Sequence, residues 1–310
     1  MQIFSETNVD FMGRRRLALV FSVVLLVLAV ASLVMRGLSF GIDFTGGTLL
    51  EVSYPEAVEL ATVRSTLENA GFGDAQAQHY GSARDVLIRI APRADESSAK
   101  LSTEVLNALR QVDAGVEMRR VEFVGPQVGE ELTEKGGLAM LYALIGILIY
   151  VSLRFEYRFA LGAVVALVHD VIITLGFFSL FQFEFDLTVL AALLAVIGYS
   201  LNDTIVVFDR IRENFRKLRK GTPPEVINVS INQTLSRTIM TSLTTLLVLV
   251  ALFVFGGEII HAFALALIVG IVIGTYSSIY VASTVALALG VSKQDLLPVQ
   301  KETREADTNP

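Results

Sequence analysis

Six long apolar runs dominate this chain, and their spacing constrains its fold more than any other feature. A helix that crosses a bilayer needs about 20 residues. One run comes near the N-terminus, about 100 mixed residues follow, and five more runs then follow in close succession. Only 18% of the residues are charged, where soluble domains carry about 25%. The pattern predicts a polytopic α-helical membrane protein with six transmembrane helices, at 17–35, 138–153, 159–181, 187–208, 238–255 and 262–289.

Several kinds of chemistry are excluded by composition and by the motifs present. The chain has no cysteine, which excludes disulfides, thiolate metal sites and cysteine catalysis. Its net charge is −6, without the basic field that nucleic-acid binding needs. There is no Walker A pattern, so energy from ATP would have to come through a partner. The sequence predicts no enzyme and no metal or cofactor site.

The distribution of basic residues predicts the orientation. Lysine and arginine cluster before the first span, between the second and third, and after the fourth, whereas loops 182–186 and 256–261 contain neither. All three clusters fall on one side of a six-span chain, and the positive-inside rule places that side in the cytoplasm. The segments 1–16, 209–237 and 290–310 are therefore predicted to be cytoplasmic, the last a disordered tail, and 36–137 to be periplasmic.

The first run has an alternative interpretation. Arg14–Arg16, the apolar stretch and Ala29-Val30-Ala31 resemble a secretory signal with its cleavage site. The run nevertheless continues to Met35 and reaches about 19 residues, which favours a membrane anchor over 17–35.

The segment 36–137 has the pattern of a small α+β domain. Its predicted order βαββαβ is that of a ferredoxin-like split unit. The first helix is expected to start at Pro55 and to stop at Gly71, and His79 is interpreted as a surface residue. The strands are predicted at 48–54, 75–81, 85–92 and 116–125, and the second helix at 95–113.

Asp203 lies inside the fourth apolar run, where a charge costs about 2.5–3.5 kcal/mol on insertion scales. Intramembrane carboxylates commonly mark ion pathways, so one interpretation is a protonatable group in the bundle interior. The alternative is an interhelical hydrogen-bond clamp built from Asn202 and Asp203. Arg237 lies at a similar depth in the next span, as an ion-pair partner for Asp203 or as an ordinary positive-inside anchor.

Three further polar or small-residue features lie in the spans. His169 and Asp170 are adjacent near the middle of the third span, and their side chains point about 100° apart around the helix. Either a proton relay or structural hydrogen bonding would explain two such residues at this depth. Gly270 and Gly274 form a small-xxx-small pattern that favours close helix packing. Nearby are Thr275, Ser277 and Ser278, which could line a polar cavity.

Asp170 and Asp203 on consecutive spans also raise an enzymatic alternative, an intramembrane aspartyl protease. The surrounding residues argue against it, because "GYSLND" contains no G-x-G-D and "VHD" contains no Y-D.

Five ordered motifs carry a family resemblance over nearly the whole chain. They are "GIDFTGGTLLEV" (41–52), "VEFVGPQVGEEL" (121–132), "LRFEYRFALGAVVALVHDV" (153–171), "VIGYSLNDTIVVFDRIREN" (196–214) and "LSRTIMTSLTTLL" (235–247). Together they resemble the SecD/SecF family of bacterial protein-export membrane proteins, which is related to the resistance-nodulation-division (RND) transporters.

The resemblance implies an RND-like half transporter of the bacterial inner membrane, with six spans and one periplasmic domain. Its partners would be the SecD subunit, the SecYEG channel and YajC, and it would be surrounded by membrane lipid. Its substrates would be preproteins driven by SecA. Its energy source would be the proton-motive force, although some relatives use sodium instead of protons. It assigns Asp203 and Arg237 to the proton pathway, with Asp170 a further candidate from its position in the span. The remaining family-motif residues are Asp43, Phe44, Gly46, Gly47, Thr48, Gly198, Asn202 and Thr204; the glycine-rich stretch is expected to be a structural junction.

The leading hypothesis is energy conversion, in which protonation of Asp203 breaks its attraction to Arg237 and the resulting helix shift moves the external domain with a bound polypeptide. The rivals are a passive assembly scaffold of the translocase and half of an RND-type small-molecule exporter. About 100 external residues is small beside the porter domains of drug exporters, which disfavours the second rival.

Overall fold

The computed structural model of the chain describes residues 7–93, 98–218 and 220–291, apart from the side chains of Ser98 and Glu258. In these residues six helices are long and apolar enough to cross a membrane, which confirms the predicted number of spans. In chain order the elements are α1 Arg15–Arg36, β1 Ser39–Phe40, α2 Ile42–Thr45, β2 Gly47–Ser53, α3 Leu60–Asn69, β3 Gln76–Tyr80, β4 Ser82–Ile90, α4 Ser98–Val112, β5 Glu117–Val124, α5 Pro126–Arg154, α6 Tyr157–Phe181, β6 Glu184–Phe185, α7 Leu187–Lys217, α8 Pro223–Phe255, α9 Glu258–Ser277, a π-helical turn Ser278–Ala282 and α10 Ser283–Ala288.

The inserted domain, from β2 to β5, has the predicted ferredoxin-like arrangement. Its four strands form one antiparallel sheet in the order β3-β4-β2-β5. Alternate residues of the two central strands, such as Leu50 and Ile88, are fully buried beneath α3 and α4. The opposite residues Leu49, Glu51 and Arg89 lie on the other face of the sheet, as the period of two along a strand requires.

Helix α3 begins five residues later than predicted. The sequence suggested a start at Pro55, but the helix begins at Leu60. The backbone N–H groups of Tyr54 and Val58 instead donate to the carbonyls of Arg84 and Ala83, which keeps this stretch extended beside β4. The sheet therefore takes the residues that local helix signals had assigned to the helix.

Three membrane helices extend well beyond their apolar runs. Helix α7 continues to Lys217 and α8 starts at Pro223, so the predicted cytoplasmic loop 209–237 is mostly helical. A capping box between Thr222 and Glu225, followed by proline at the first helical position, explains the early start of α8. Helix α5 likewise begins at Pro126 rather than near residue 138.

Helices α6 and α7 form the centre of the bundle. Over their most apolar 18-residue windows both are 56% buried, against 11% for α5 and 17% for α8. Gly176 of α6 lies directly against Ala29 of α1, and Gly270 of α9 lies against Val196 of α7. A side chain at either glycine would overlap its neighbour, so the predicted packing role of Gly270 is confirmed.

Helix α1 also makes polar contacts inside the bundle. The hydroxyls of Ser32 and Ser179 are 2.9 Å apart, and the Tyr276 hydroxyl donates to the carbonyl of Ala18 at 2.6 Å. Such buried hydrogen bonds between helices favour the anchor interpretation of the first span over a cleaved signal.

Candidate functional site: two buried carboxylates

Asp203 of α7 is clamped between two other helices. Its side chain is buried, and its two oxygens accept from different donors. The Thr238 hydroxyl of α8 lies 2.7 Å from Oδ1, and the Ser278 hydroxyl of the π-helical turn lies 2.6 Å from Oδ2. One carboxylate thus joins three membrane helices.

Asp170 of α6 is completely buried and has a similar set of donors. Its Oδ2 accepts from the hydroxyl of Ser200 on α7 at 2.6 Å and from that of Ser277 on α9 at 2.7 Å. The other oxygen lies 2.9 Å from Nδ1 of His169. The two adjacent residues therefore interact with each other, although their 100° separation suggested that they would point to different surroundings.

The sixth membrane helix connects the two carboxylates through consecutive residues. Ser277 donates to Asp170 and Ser278 to Asp203. Neighbouring side chains on a helix point about 100° apart, so this pair reaches both α6 and α7. The π-helical turn starts at Ser278, and such local departures from α-helix are frequent at functional sites.

Neither carboxylate has a basic residue as an ion-pair partner within the described residues, apart from His169 beside Asp170. An ionised carboxylate in apolar surroundings is costly without a counter-charge, whereas a protonated one is cheaper to bury. Hydroxyl donors can adapt to either state, because a hydroxyl both donates and accepts. The chemistry that this arrangement supports is uptake and release of a proton.

Arg237 is not placed as the sequence suggested. It lies on the exposed side of α8 and forms no ion pair with Asp203 in the described part of the chain. Residues 237 and 238 point about 100° apart, and it is Thr238 that faces α7. The Arg237 charge therefore acts on Asp203 without a direct contact: the predicted attraction is present, but no ion pair or hydrogen bond joins the two side chains in this conformation. Sequence reasoning missed Thr238, whose only signal is its place in a polar stretch of the fifth span.

The residues next to Asp203 in the motif lie on different sides of α7. Asn202 and Gly198 lie on the exposed side of α7, whereas Thr204 is buried and its hydroxyl has no hydrogen-bond partner among the residues that the structure describes. Asn202 therefore does not take part in the clamp that had been considered for it with Asp203. The Tyr199 hydroxyl, one turn before Asp203, donates to the Ser242 hydroxyl of α8 at 3.5 Å.

The glycine-rich motif lies where the inserted domain meets the bundle. Asp43 accepts from the backbone N–H of Leu187 at the start of α7, and Phe44 stacks on Phe185 with ring centroids 5.6 Å apart. Gly46 and Gly47 have φ of +69° and +127°, values that L side chains rarely adopt. Thr48 is buried at the start of β2. The motif is thus a structural junction, as predicted.

The two carboxylates are separate sites, because each has its own set of hydrogen-bond donors. Asp170 and Asp203 accept from different hydroxyls, and no hydrogen bond joins them in the described residues. Two carboxylates that share one proton, the arrangement of an aspartyl protease, are absent from this conformation.

Six membrane helices, one inserted ferredoxin-like domain and carboxylates buried at the centre of the bundle define a polytopic α-helical membrane protein. The family description "Protein export membrane protein SecD/SecF, C-terminal" matches residues 104–292, and "SecD/SecF GG Motif" matches residues 31–54. The chain belongs to the SecF family.

Close relatives cover the chain almost completely. Protein translocase subunit SecF of Vibrio alginolyticus is 55% identical over 99% of this chain and 98% of the relative. The subunit of the same name from Escherichia coli O157:H7 is 47% identical over 96% of this chain and 93% of the relative.

A solved structure shows the same fold. The crystal structure of SecDF, a translocon-associated membrane protein from Thermus thermophilus, is 42% identical and superposes with a TM-score of 0.84. The match covers 92% of this chain but 39% of the SecDF chain. This chain therefore corresponds to one part of a longer protein in that organism.

Proposed function

We propose that this chain is the SecF-type subunit of the Sec protein-export machinery and that, with SecD, it uses the proton-motive force to assist preprotein translocation across the bacterial inner membrane. The observation that carries the proposal is the pair of buried carboxylates, each held by hydroxyls from neighbouring helices, in a family whose relatives are named translocase subunits. The chain itself performs no covalent chemistry.

The proposed cycle starts from the hydrogen bonds of Asp203. Ionised, the carboxylate accepts from Thr238 and Ser278 at once. Protonated, one of its oxygens carries an O–H group that donates and is a weaker acceptor, which favours a neighbouring hydroxyl that accepts from it instead. The clamp between α7, α8 and the sixth helix therefore differs between the two states. One charge crossing 100 mV supplies about 2.3 kcal/mol, which biases a two-state equilibrium about 50-fold.

The proposed topology follows the basic clusters. Both termini lie in the cytoplasm, and the inserted domain lies in the periplasm, where a translocating polypeptide emerges. The sparsely buried helices α5 and α8 would be covered by lipid and by SecD, which supplies the other half of an RND-like unit. Arg237 on the exposed side of α8 and Asn202 on the exposed side of α7 would then face that half, and Arg237 would act on the proton pathway from there. SecYEG and YajC are the further proposed partners.

The proposal is tested by export into inverted vesicles that contain the complete complex, with and without an imposed proton gradient. We expect the gradient to raise the export rate only where the chain is present, and an ionophore that collapses the proton gradient to remove that gain. An increase in export rate that follows a sodium gradient instead would show that sodium is the coupling ion. A rate that depends on the chain but on neither gradient would favour the passive scaffold.

Asp170 gives a second, smaller prediction. Asp170→Asn keeps an acceptor oxygen for Ser200 and Ser277 but cannot ionise. If Asp170 takes part in proton transfer, gradient-driven export falls by about fivefold, the lower end of usual coupling free energies, while SecD still co-purifies. Export at the wild-type rate would leave Asp170 a structural hydrogen-bond group.

A further inference from the structure

The base of the inserted domain is fastened to the start of α7 by side-chain contacts. Arg89 of β4 forms an ion pair with Glu184 of β6 and donates from Nη1 to the Phe40 carbonyl at 2.9 Å. Asp43 of α2 accepts from the Leu187 N–H at 3.0 Å, so a residue from outside α7 satisfies one of its free N-terminal N–H groups.

Backbone contacts reinforce the same junction. Strands β1 and β6 pair in parallel, and the N–H of Gly41 donates to the Phe185 carbonyl at 2.8 Å. The Phe44 and Phe185 rings stack beside them. The segment that leads from α1 into the domain is thus attached to the short loop between α6 and α7.

The ion pair is half-buried, with side-chain exposures of 17% for Arg89 and 24% for Glu184. Burial raises the pKa of Glu184, the Arg89 charge opposes that shift, and Asp186 and Asp43 add to it. A pair in such surroundings adds little net stability, but loss of one partner leaves the other charge uncompensated. Its main contribution is therefore to fix the position of one segment against the other.

Helix α7 links this junction to the buried site. Asp203 lies 16 residues beyond Leu187, or about 24 Å along one continuous helix. We propose that Arg89, Glu184 and Asp43 are positioning residues that form a coupling joint, through which a shift of α7 turns the inserted domain. The direction of coupling rests on the proposed function, whereas the attachment itself does not.

The attachment can be measured in the complete complex with a cysteine-free SecD, because this chain has no cysteine of its own. Spin labels at Thr103→Cys in the domain and Phe255→Cys at the end of α8 would report their distance distribution in vesicles. We expect Arg89→Gln and Glu184→Gln to broaden it, and the charge-reversed pair Arg89→Glu with Glu184→Arg to narrow it again. Arg93→Gln is the matched control, because its ion pair with Asp74 lies within the domain.

Export and pH provide two further measurements. We expect gradient-driven export to fall about fivefold in Arg89→Gln and to recover in the charge-reversed pair. Lowering the pH on the domain side should broaden the distribution in the wild type, because protonated Glu184 no longer attracts Arg89, and should leave the already broad Glu184→Gln unchanged.

Unchanged distances and export in both single variants would overturn the joint, as would failure of the charge-reversed pair to restore either. A failure of the proposed function would give a different result from a failure of the joint. Export by the wild type would then not respond to the proton gradient, while the single variants would still broaden the distance distribution.

Discussion

Asp203→Asn is expected to abolish the gradient-driven part of export and to leave the complex assembled. The amide has nearly the same size, and its oxygen still accepts from Thr238 or Ser278. It cannot ionise, so the clamp between α7, α8 and the sixth helix stays in one state. The export rate should fall to that of vesicles without the chain. The variant loses the bias of about 50-fold between the two states that one proton supplies at 100 mV.

Asp209→Asn is the matched control, with the same substitution on the same helix. Asp209 forms a half-exposed ion pair with Arg154, and such pairs contribute about 0–1 kcal/mol. We expect normal export and normal co-purification with SecD. If Asp203→Asn also exports normally, Asp203 carries no proton, and its hydrogen bonds serve only to hold the helices together.

Single donors should have graded effects. Thr238→Val and Ser278→Ala each remove one of the two hydroxyls and leave the carboxylate able to ionise. In each variant one oxygen of Asp203 loses its donor, which weakens the clamp. The carboxylate can still take up and release a proton, so we expect the gradient-driven export rate to fall less than it does in Asp203→Asn.

The number of spans and the topology of the domain were accessible from sequence because both depend on local periodicity. Apolar runs mark spans, and the alternation along 85–92 marks a strand with one buried face. Asp203 was also accessible, since a carboxylate in an apolar run is conspicuous wherever it points. Ser278 was singled out only as a polar residue of the sixth span, and the donor Thr238 was missed, because sequence spacing does not fix which side of α8 faces α7. Thr238 rather than Arg237 takes that place.

The coupling joint illustrates a second limit. Arg89 and Glu184 are 95 positions apart, and each alone resembles an ordinary surface charge. The pairing of β1 with β6 involves two residues on each side, too few to show a period. Such contacts depend on where the sheet lies against the bundle, which no local pattern records. The resemblance identified the glycine-rich motif but did not reveal that Asp43 caps α7.

Gly47 occupies the most restricted backbone position of this motif. Its φ of +127° lies in a region that is essentially confined to glycine. A Cβ at this position would lie 2.5 Å from the carbonyl oxygen of Ile90, on the neighbouring strand β4. The backbone of β4 cannot withdraw, because Thr48 and Ile90 are paired in the sheet.

Gly47→Ala should therefore destabilise the inserted domain by about 3 kcal/mol or more, from backbone strain and the clash together. For a domain of this size that lowers its thermal midpoint by about 12 °C or more. Gly71→Ala is the control within the same domain: φ is also positive there, at +86°, but no atom lies within 4 Å of the added carbon, so the cost is about 1–2 kcal/mol. Protease resistance of the domain in detergent-solubilised complex, followed against temperature, measures both variants. Equal shifts for the two would show that the close approach to Ile90 contributes nothing and that the glycine serves only its φ angle.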